Sequence, residues 1–135
     1  MDIINTQNAP AAPAAIGPYV QGVNTGSMIF TSGQLPVDPD TGLISEAIEV
    51  QAYQSLENVR AIIEAEGLKV GDIVKTTVFV KDLNDFAAVN ATYEAYFTRH
   101  GAPFPARSCV EMARLPRDAK IEIEAIAFSH TQVVS

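Results

Sequence analysis

The stretch Val74–Leu83, which reads VKTTVFVKDL, lies between two segments of a different period and decides the fold. Val74, Thr76, Val78 and Val80 alternate with Lys75, Thr77, Phe79 and Lys81, the period-2 pattern of a strand rich in β-branched side chains. Both faces carry apolar or β-branched residues, so both faces of the sheet it joins are expected to be covered. Upstream, Ala52, Leu56, Val59 and Ile63 recur at helical spacing. With Glu46 and Glu49 near the positive end and Gly67 as a stop, they predict a helix over about 46–66. Downstream, Asp82 and Asn84 offer N-caps, and Phe86, Val89, Tyr93 and Tyr96 or Phe97 resume the helical period up to Gly101.

Further out, Tyr19–Val23 and Met28–Gln34 read as strands joined by a turn at Asn24-Thr25-Gly26-Ser27. The proline, aspartate and glycine of Pro36–Gly42 mark a loop. Beyond the Pro103-Phe104-Pro105 break, Arg107–Ala113 and, past Pro116, Lys120–Phe128 are short β-rich runs. The order strand, strand, helix, strand, helix, strand, strand defines an α+β chain. Right-handed crossovers place both helices on one face of one sheet. The other face is expected to be buried against other subunits.

At 135 residues, one domain spanning 1–135 is expected, and 47% hydrophobic against 19% charged residues is the composition of a chain that folds. Sixteen acidic and nine basic side chains give a net charge of -7, which repels polyanions and argues against nucleic acid as a partner. Arg114, Arg117 and Lys120, interrupted by Asp118, read as a solvated loop. A lone cysteine, Cys109, makes no intramolecular disulfide and fits a reducing compartment. With Asp2 in place of a basic n-region and no long apolar run, the expected location is cytoplasmic, without membrane contact. No metal-ligand spacing, phosphate loop or hydrolase motif is present, and the Asn90-Ala91-Thr92 sequon reads as chance.

The candidate chemistry lies on the last two strands. Arg107 and Cys109 share one face of a strand, and Glu122 and Glu124 share one face of the next. Direct antiparallel pairing of these strands would bring Arg107 near Glu122. The guanidinium suits a bidentate grip on a carboxylate, and Glu122 could orient or deprotonate water; the alternative is a structural cross-strand salt bridge. Cys109 reads as a small buried hydrophobe more than a nucleophile, because neither His100, at a helix end, nor His130, in the tail, stands beside it. Ser32-Gly33 ends a strand where a backbone can approach a ligand closely, or simply bulges. Tyr19, after Gly17-Pro18, either aims a phenol into a pocket or anchors its turn.

These motifs carry a resemblance. Ile16–Tyr19, Thr31–Gln34, Val74–Leu83, Val89–Tyr93, Pro105–Val110 and Ile121–Ala127 occur in the order found in the RidA (YjgF) family, and the likeness spans about residues 7–128. PARSCV and EIEAIA are similar to its enamine/imine deaminase branch. The resemblance implies a chorismate-mutase-like domain: a mixed sheet of about six strands, two helices on one face, and three subunits closing a barrel with ligand clefts between them. It implies hydrolysis of 2-enamine or 2-imine acids, such as 2-aminoacrylate, to 2-keto acids and ammonia, with no metal or organic cofactor. By the same resemblance, Arg107 holds the substrate carboxylate and Glu122 positions and activates water. Tyr19, Ser32, the Gly33 backbone, Asn90 and the Cys109 backbone line the cleft. An imine carbon is already electrophilic, so fixing the acid, orienting one water and managing a proton suffice. The chain departs from the pattern at Ala9–Ala15, where an Ala-Pro-Ala unit reads as duplicated, which bears on substrate range.

Two other functions fit parts of this pattern. A trimer that senses 2-keto acids without turnover would use the same Arg107, and a ribonuclease or translation inhibitor is opposed by the net charge.

Overall fold

The computed structural model describes residues 1–5 and 8–129; His130 lies outside the described residues. Six strands form one sheet: β1 (Asp2–Ile4), β2 (Gly22–Asn24), β3 (Met28–Thr31), β4 (Ile73–Val80), β5 (Ala106–Glu111) and β6 (Ile121–Phe128). Two helices, α1 (Ile48–Ala65) and α2 (Phe86–Arg99), follow β3 and β4. The strand order is β1-β2-β3-β6-β4-β5, with β4 and β5 parallel and the other neighbours antiparallel.

The helical faces read from the sequence are the buried ones. Ala52, Leu56, Val59 and Ile63 of α1 and Val89, Tyr93, Tyr96 and Phe97 of α2 are at most 6% exposed. They pack on Val78, Val80, Ile121 and Ile123, the alternate residues of β4 and β6. Gly67, at φ 83°, ends α1 in the left-handed region that a side chain disfavours. Asp82 caps the short turn Leu83–Asp85 rather than α2 itself, its carboxylate accepting from the Asn84 amide at 2.8 Å. His100 stands at the C-terminal cap of α2 with Nδ1 2.8 Å from the Tyr96 carbonyl, the helix-end role its position suggests.

The first three strands differ from the sequence pattern. β1 is too short to show a period, yet Ile4 is fully buried and β1 supplies the sixth strand. β2 begins at Gly22 rather than Tyr19. β3 stops at Thr31 because the chain bulges: one extra residue intervenes between the pair Phe30–Ile126 and the bridge Gln34–Ile123.

The largest correction concerns β5 and β6, which do not pair. The crossover through α2 returns β5 parallel to β4 on its outer edge. β3 and β4, themselves parallel, leave a slot between them that the antiparallel β6 fills. β4 therefore separates Arg107 from Glu122.

The face opposite the helices is open. Its register lines up Ile3, Val23, Phe30 and Ile126 in one row and Val110, Phe79 and Glu122 in another. Ile3, Phe30 and Val110 are 55%, 39% and 42% exposed. Thr77, Ser108 and Glu124 make the polar row between, and Lys75 Nζ donates to Ser108 Oγ at 3.0 Å.

Phe97 is fully buried and its ring meets those of Tyr93, Tyr96 and Phe104. Replacing Phe97 with Ala is expected to lower unfolding free energy by about 3–5 kcal/mol in urea titrations at fixed protein concentration.

Candidate active site

The site residues read from the sequence fall into two groups on opposite faces of the sheet. Arg107 lies opposite Thr76, whose side chain is buried under the helices, so Arg107 is on the helix side of the edge strand β5. Glu122 lies opposite Phe79 and alternates with the buried Ile121 and Ile123, so it projects from the open face. β5 and β6 also stand two strand spacings apart, about 9–10 Å. Within one chain the two groups cannot grip the same small molecule.

The first group is built on α2 and β5. The Arg107 guanidinium lies over the rings of Tyr93, at 4.9 Å, and Phe86, at 5.7 Å. These rings are two helical turns apart and form a shelf that fixes the fork while leaving its edge free. Among the described residues no carboxylate pairs with it. A guanidinium held on aromatic faces, with no carboxylate partner among the described residues, can grip a carboxylate in two places. Tyr93 is itself fixed by a 2.6 Å hydrogen bond shared with Thr76. Asn90, on the same face of α2, joins Tyr93, Phe104 and Arg107 around an open depression, and its buried Oδ1 has no hydrogen-bond partner among the described residues. Cys109 faces the core beside Val78, and burial pushes its thiol up despite the Arg107 charge. Its side chain packs on the core, where burial disfavours the thiolate.

The second group is built on the bulge after β3. A Cβ on Gly33 would stand 2.5 Å from Glu122 Oε2, closer than any side chain tolerates, so only glycine lets the carboxylate lie against this backbone. The Ser32–Gly33 segment is thus both a bulge and a place of close approach. Burial, and then the neighbouring Glu124 carboxylate, hold Glu122 above the usual carboxylate range. A carboxyl so raised exchanges protons closer to neutral pH, as general acid–base work requires. Tyr19 borders the same region, and its phenol oxygen accepts from the Ile16 amide at 3.3 Å, so it anchors its turn as well as lining a cavity. The Ser32 hydroxyl donates to the Val20 carbonyl at 2.6 Å, securing the bulge.

That cavity, of about 260 Å³, runs from Gly33 and Tyr19 along the Ala/Pro-rich segment to Arg117. Of its walls, Tyr19 and Gly33 were read from the sequence as candidate pocket residues, whereas Arg117 reads there as a solvated loop residue. Phe86 and Tyr93 were legible as a pair on one helical face, but only the position of β5 makes them a shelf for Arg107. Among the described residues no cluster of His, Cys, Asp or Glu is arranged to hold a metal ion, and no helix is long and apolar enough to cross a membrane.

Residues 9–129 match the family profile described as Endoribonuclease L-PSP. The chain belongs to this family, the RidA/YjgF family that its motifs resemble. It is 76% identical over 124 residues to the 2-iminobutanoate/2-iminopropanoate deaminase of Salmonella typhimurium, covering 92% of this chain and 94% of that protein. The crystal structure of the YjgF gene product from Escherichia coli superposes with a TM-score of 0.90 at 70% identity, covering 95% of this chain and 98% of that one. The structure of Escherichia coli TdcF with bound serine gives 0.91 at 60% identity, with the same coverage.

Two outcomes follow from the geometry of the second group. Gly33→Ala is expected to push the Glu122 carboxylate aside and cost about a hundredfold in turnover, with circular dichroism unchanged. Glu124→Gln removes the neighbouring negative charge, so the carboxyl titration of Glu122, followed by carbon-13 NMR, is expected to move to lower pH.

Proposed function

We propose that this protein is a hydrolytic deaminase that converts reactive 2-enamine and 2-imine acids, such as 2-aminoacrylate and its imine tautomer, to 2-keto acids and ammonia. The observation that carries the reading is the unpaired Arg107 guanidinium held on its aromatic shelf, which matches the carboxylate common to all these acids. The identity to a curated 2-iminobutanoate/2-iminopropanoate deaminase supports the reaction, and the serine bound to TdcF supports a small amino-acid-like ligand.

The active form is a homotrimer with a barrel-like centre and a site in each cleft between copies. The split of the site residues supports this, because a carboxylate clamp and a proton-transfer group on opposite faces of one sheet act together only when two copies meet. The exposed apolar row on the open face and the unpaired edge of β5 support it too. Arg107, Asn90 and the Cys109 backbone of one copy then face Tyr19, Ser32, Gly33 and Glu122 of the next. A single folded domain over 1–135 and a cytoplasmic location, suited to the lone thiol, belong to the same proposal.

In the reaction, Arg107 holds the substrate carboxylate and Glu122 orients a water against C2 of the imine. The water oxygen bonds to C2 while a proton passes by way of Glu122 to the imine nitrogen. The same carboxylate then carries the carbinolamine's hydroxyl proton to the amino nitrogen, and the C2–N bond breaks as the carbonyl forms, releasing ammonia and regenerating the carboxylate. No covalent enzyme intermediate is needed, in keeping with a protonated Cys109. A ribonuclease reading has no support from a chain of net charge -7.

The test generates 2-aminoacrylate in situ with a serine dehydratase and traps the surviving enamine and imine with semicarbazide. Wild type is expected to divert the flux to pyruvate before trapping, and Arg107→Ala is expected to leave trapping unchanged while gel filtration still shows the trimer. No diversion by wild type across several amino-acid precursors would leave only ligand sensing. Shared sites make a further demand. Arg107→Ala and Glu122→Gln proteins, each inactive, are expected to regain about a quarter of wild-type activity when unfolded and refolded together in equal amounts, since a quarter of the randomly assembled clefts are intact. Absence of recovery would place both residues in one chain's site.

A further inference from the structure

Two buried threonines on the helix side of the sheet, Thr31 and Thr76, stand behind the two halves of the candidate site. Both lie in one row that crosses four strands, from Thr31 of β3 through Ala125 and Thr76 to Arg107.

Thr31 ends β3 where the bulge begins. Its Oγ1 accepts from the Ala125 amide at 3.0 Å, in the gap between the pair Phe30–Ile126 and the bridge Gln34–Ile123. In unbroken register Gly33 would stand opposite Ile123 and share its buried face. The extra residue puts Gln34 there and turns Gly33 to the open face, against Glu122. The Thr31 hydroxyl thus takes an amide that an unbroken ladder gives to a main-chain carbonyl, so the ladder has no donor with which to close over the bulge. On the other side the Ser32 amide donates to the Gln21 carbonyl at 2.9 Å. The Gln21 side-chain amide in turn donates to the carbonyls of Ala9 at 3.3 Å, Ala12 at 3.2 Å and Pro13 at 2.8 Å, fastening the Ala/Pro-rich segment to the same strand end.

Thr76 is the register partner of Arg107 and shares the 2.6 Å hydrogen bond with the Tyr93 phenol. The ring that lies 4.9 Å under the guanidinium is thereby tied to a central strand. Without the Thr76 hydroxyl the phenol oxygen would be left buried and unpaired, which favours a shift of the ring.

We propose that Thr31 and Thr76 are positioning residues: Thr31 holds the bulge that sets Gly33 against Glu122, and Thr76 holds the ring that aims Arg107. Both are too buried to touch a substrate. The proposal rests on the deaminase reading and divides its tasks, since water activation is expressed in turnover and the carboxylate grip in affinity.

The experiment generates imine from alanine with an L-amino-acid oxidase and measures kcat and KM for its clearance against semicarbazide trapping. Thr76→Val, an isosteric change, is expected to raise KM about tenfold and to leave kcat within about threefold. Thr31→Val is expected to lower kcat about tenfold with KM within about threefold. Thr31→Ser and Thr76→Ser keep the hydroxyl and are expected to stay within about threefold of wild type in both constants. Tyr93→Phe breaks the Thr76 bond from its other end, and it is expected to raise KM as Thr76→Val does, with no further rise in the double variant. A loss of folded protein would also lower kcat, so Glu122 is followed by carbon-13 NMR. Its titration is expected to move to lower pH in Thr31→Val, as the carboxylate leaves its buried place beside Gly33 with Glu124 unchanged, and to stay put in Thr76→Val.

A Val variant within about twofold of wild type in both constants, or a Ser variant as impaired as its Val counterpart, overturns the assignment of that residue. So does an unmoved Glu122 titration in Thr31→Val. If Thr31→Val does not fold, the Thr31→Ser titration decides: unchanged, it sustains the assignment, and moved, it overturns it. Additive rises in KM for Thr76→Val and Tyr93→Phe overturn the role of Thr76. Clearance of no imine by wild type overturns the deaminase reading instead, and the Glu122 titrations still decide whether Thr31 sets that carboxylate.

Discussion

The placement of β4 between β5 and β6 governs what one chain can do. A parallel neighbour requires a crossover, and the crossover helix α2 must lie on the face that the buried residues of β4 share. Arg107 therefore emerges beside Tyr93 and Phe86, under α2 and at the sheet edge. The same alternation turns Glu122 away from the helices. The separation of the two groups follows from hydrogen-bond register and a period of two residues, and no side-chain rearrangement within a chain can undo it.

Each half-site carries an electrostatic demand that its own chain leaves unmet. The guanidinium of Arg107 has aromatic faces beneath it and no counter-ion among the described residues. Glu122 is partly buried next to a second carboxylate. Groups in such settings are often functional, because burial that is unpaired costs stability and is kept where another molecule completes it. In the proposed assembly the completing molecules are a second copy and an acid substrate, and the two demands are of opposite sign.

Much of this was legible in the sequence because it depends on local periodicity. The buried faces of both helices, the alternation of β4 and β6, the stop at Gly67 and the helix-end role of His100 all follow from spacing a few residues long. The sheet order was not legible, because which strand lies beside β6 is decided by contacts distant in sequence. The pairing of Arg107 with Glu122 across adjacent strands failed for that reason. Gly33 could be read as a bulge or as a close approach, and the fold makes it both. Arg117 gave no sign of lining a cavity, since that depends on the Pro36–Gly42 loop folding back to where the Arg117 guanidinium donates to the Gly42 carbonyl.

The anchorage of the Ala/Pro-rich segment also bears on how such a chain changes over generations. The Gln21 amide engages only main-chain carbonyls, so the anchor is blind to which side chains the segment carries. Residues can be inserted or exchanged there while the tether persists, provided some carbonyls still reach the amide. The frame that holds Glu122 and Arg107 is untouched by such edits. A segment that can be rewritten without loosening its fastening is a ready place for heritable variation, with the frame of the fold held constant.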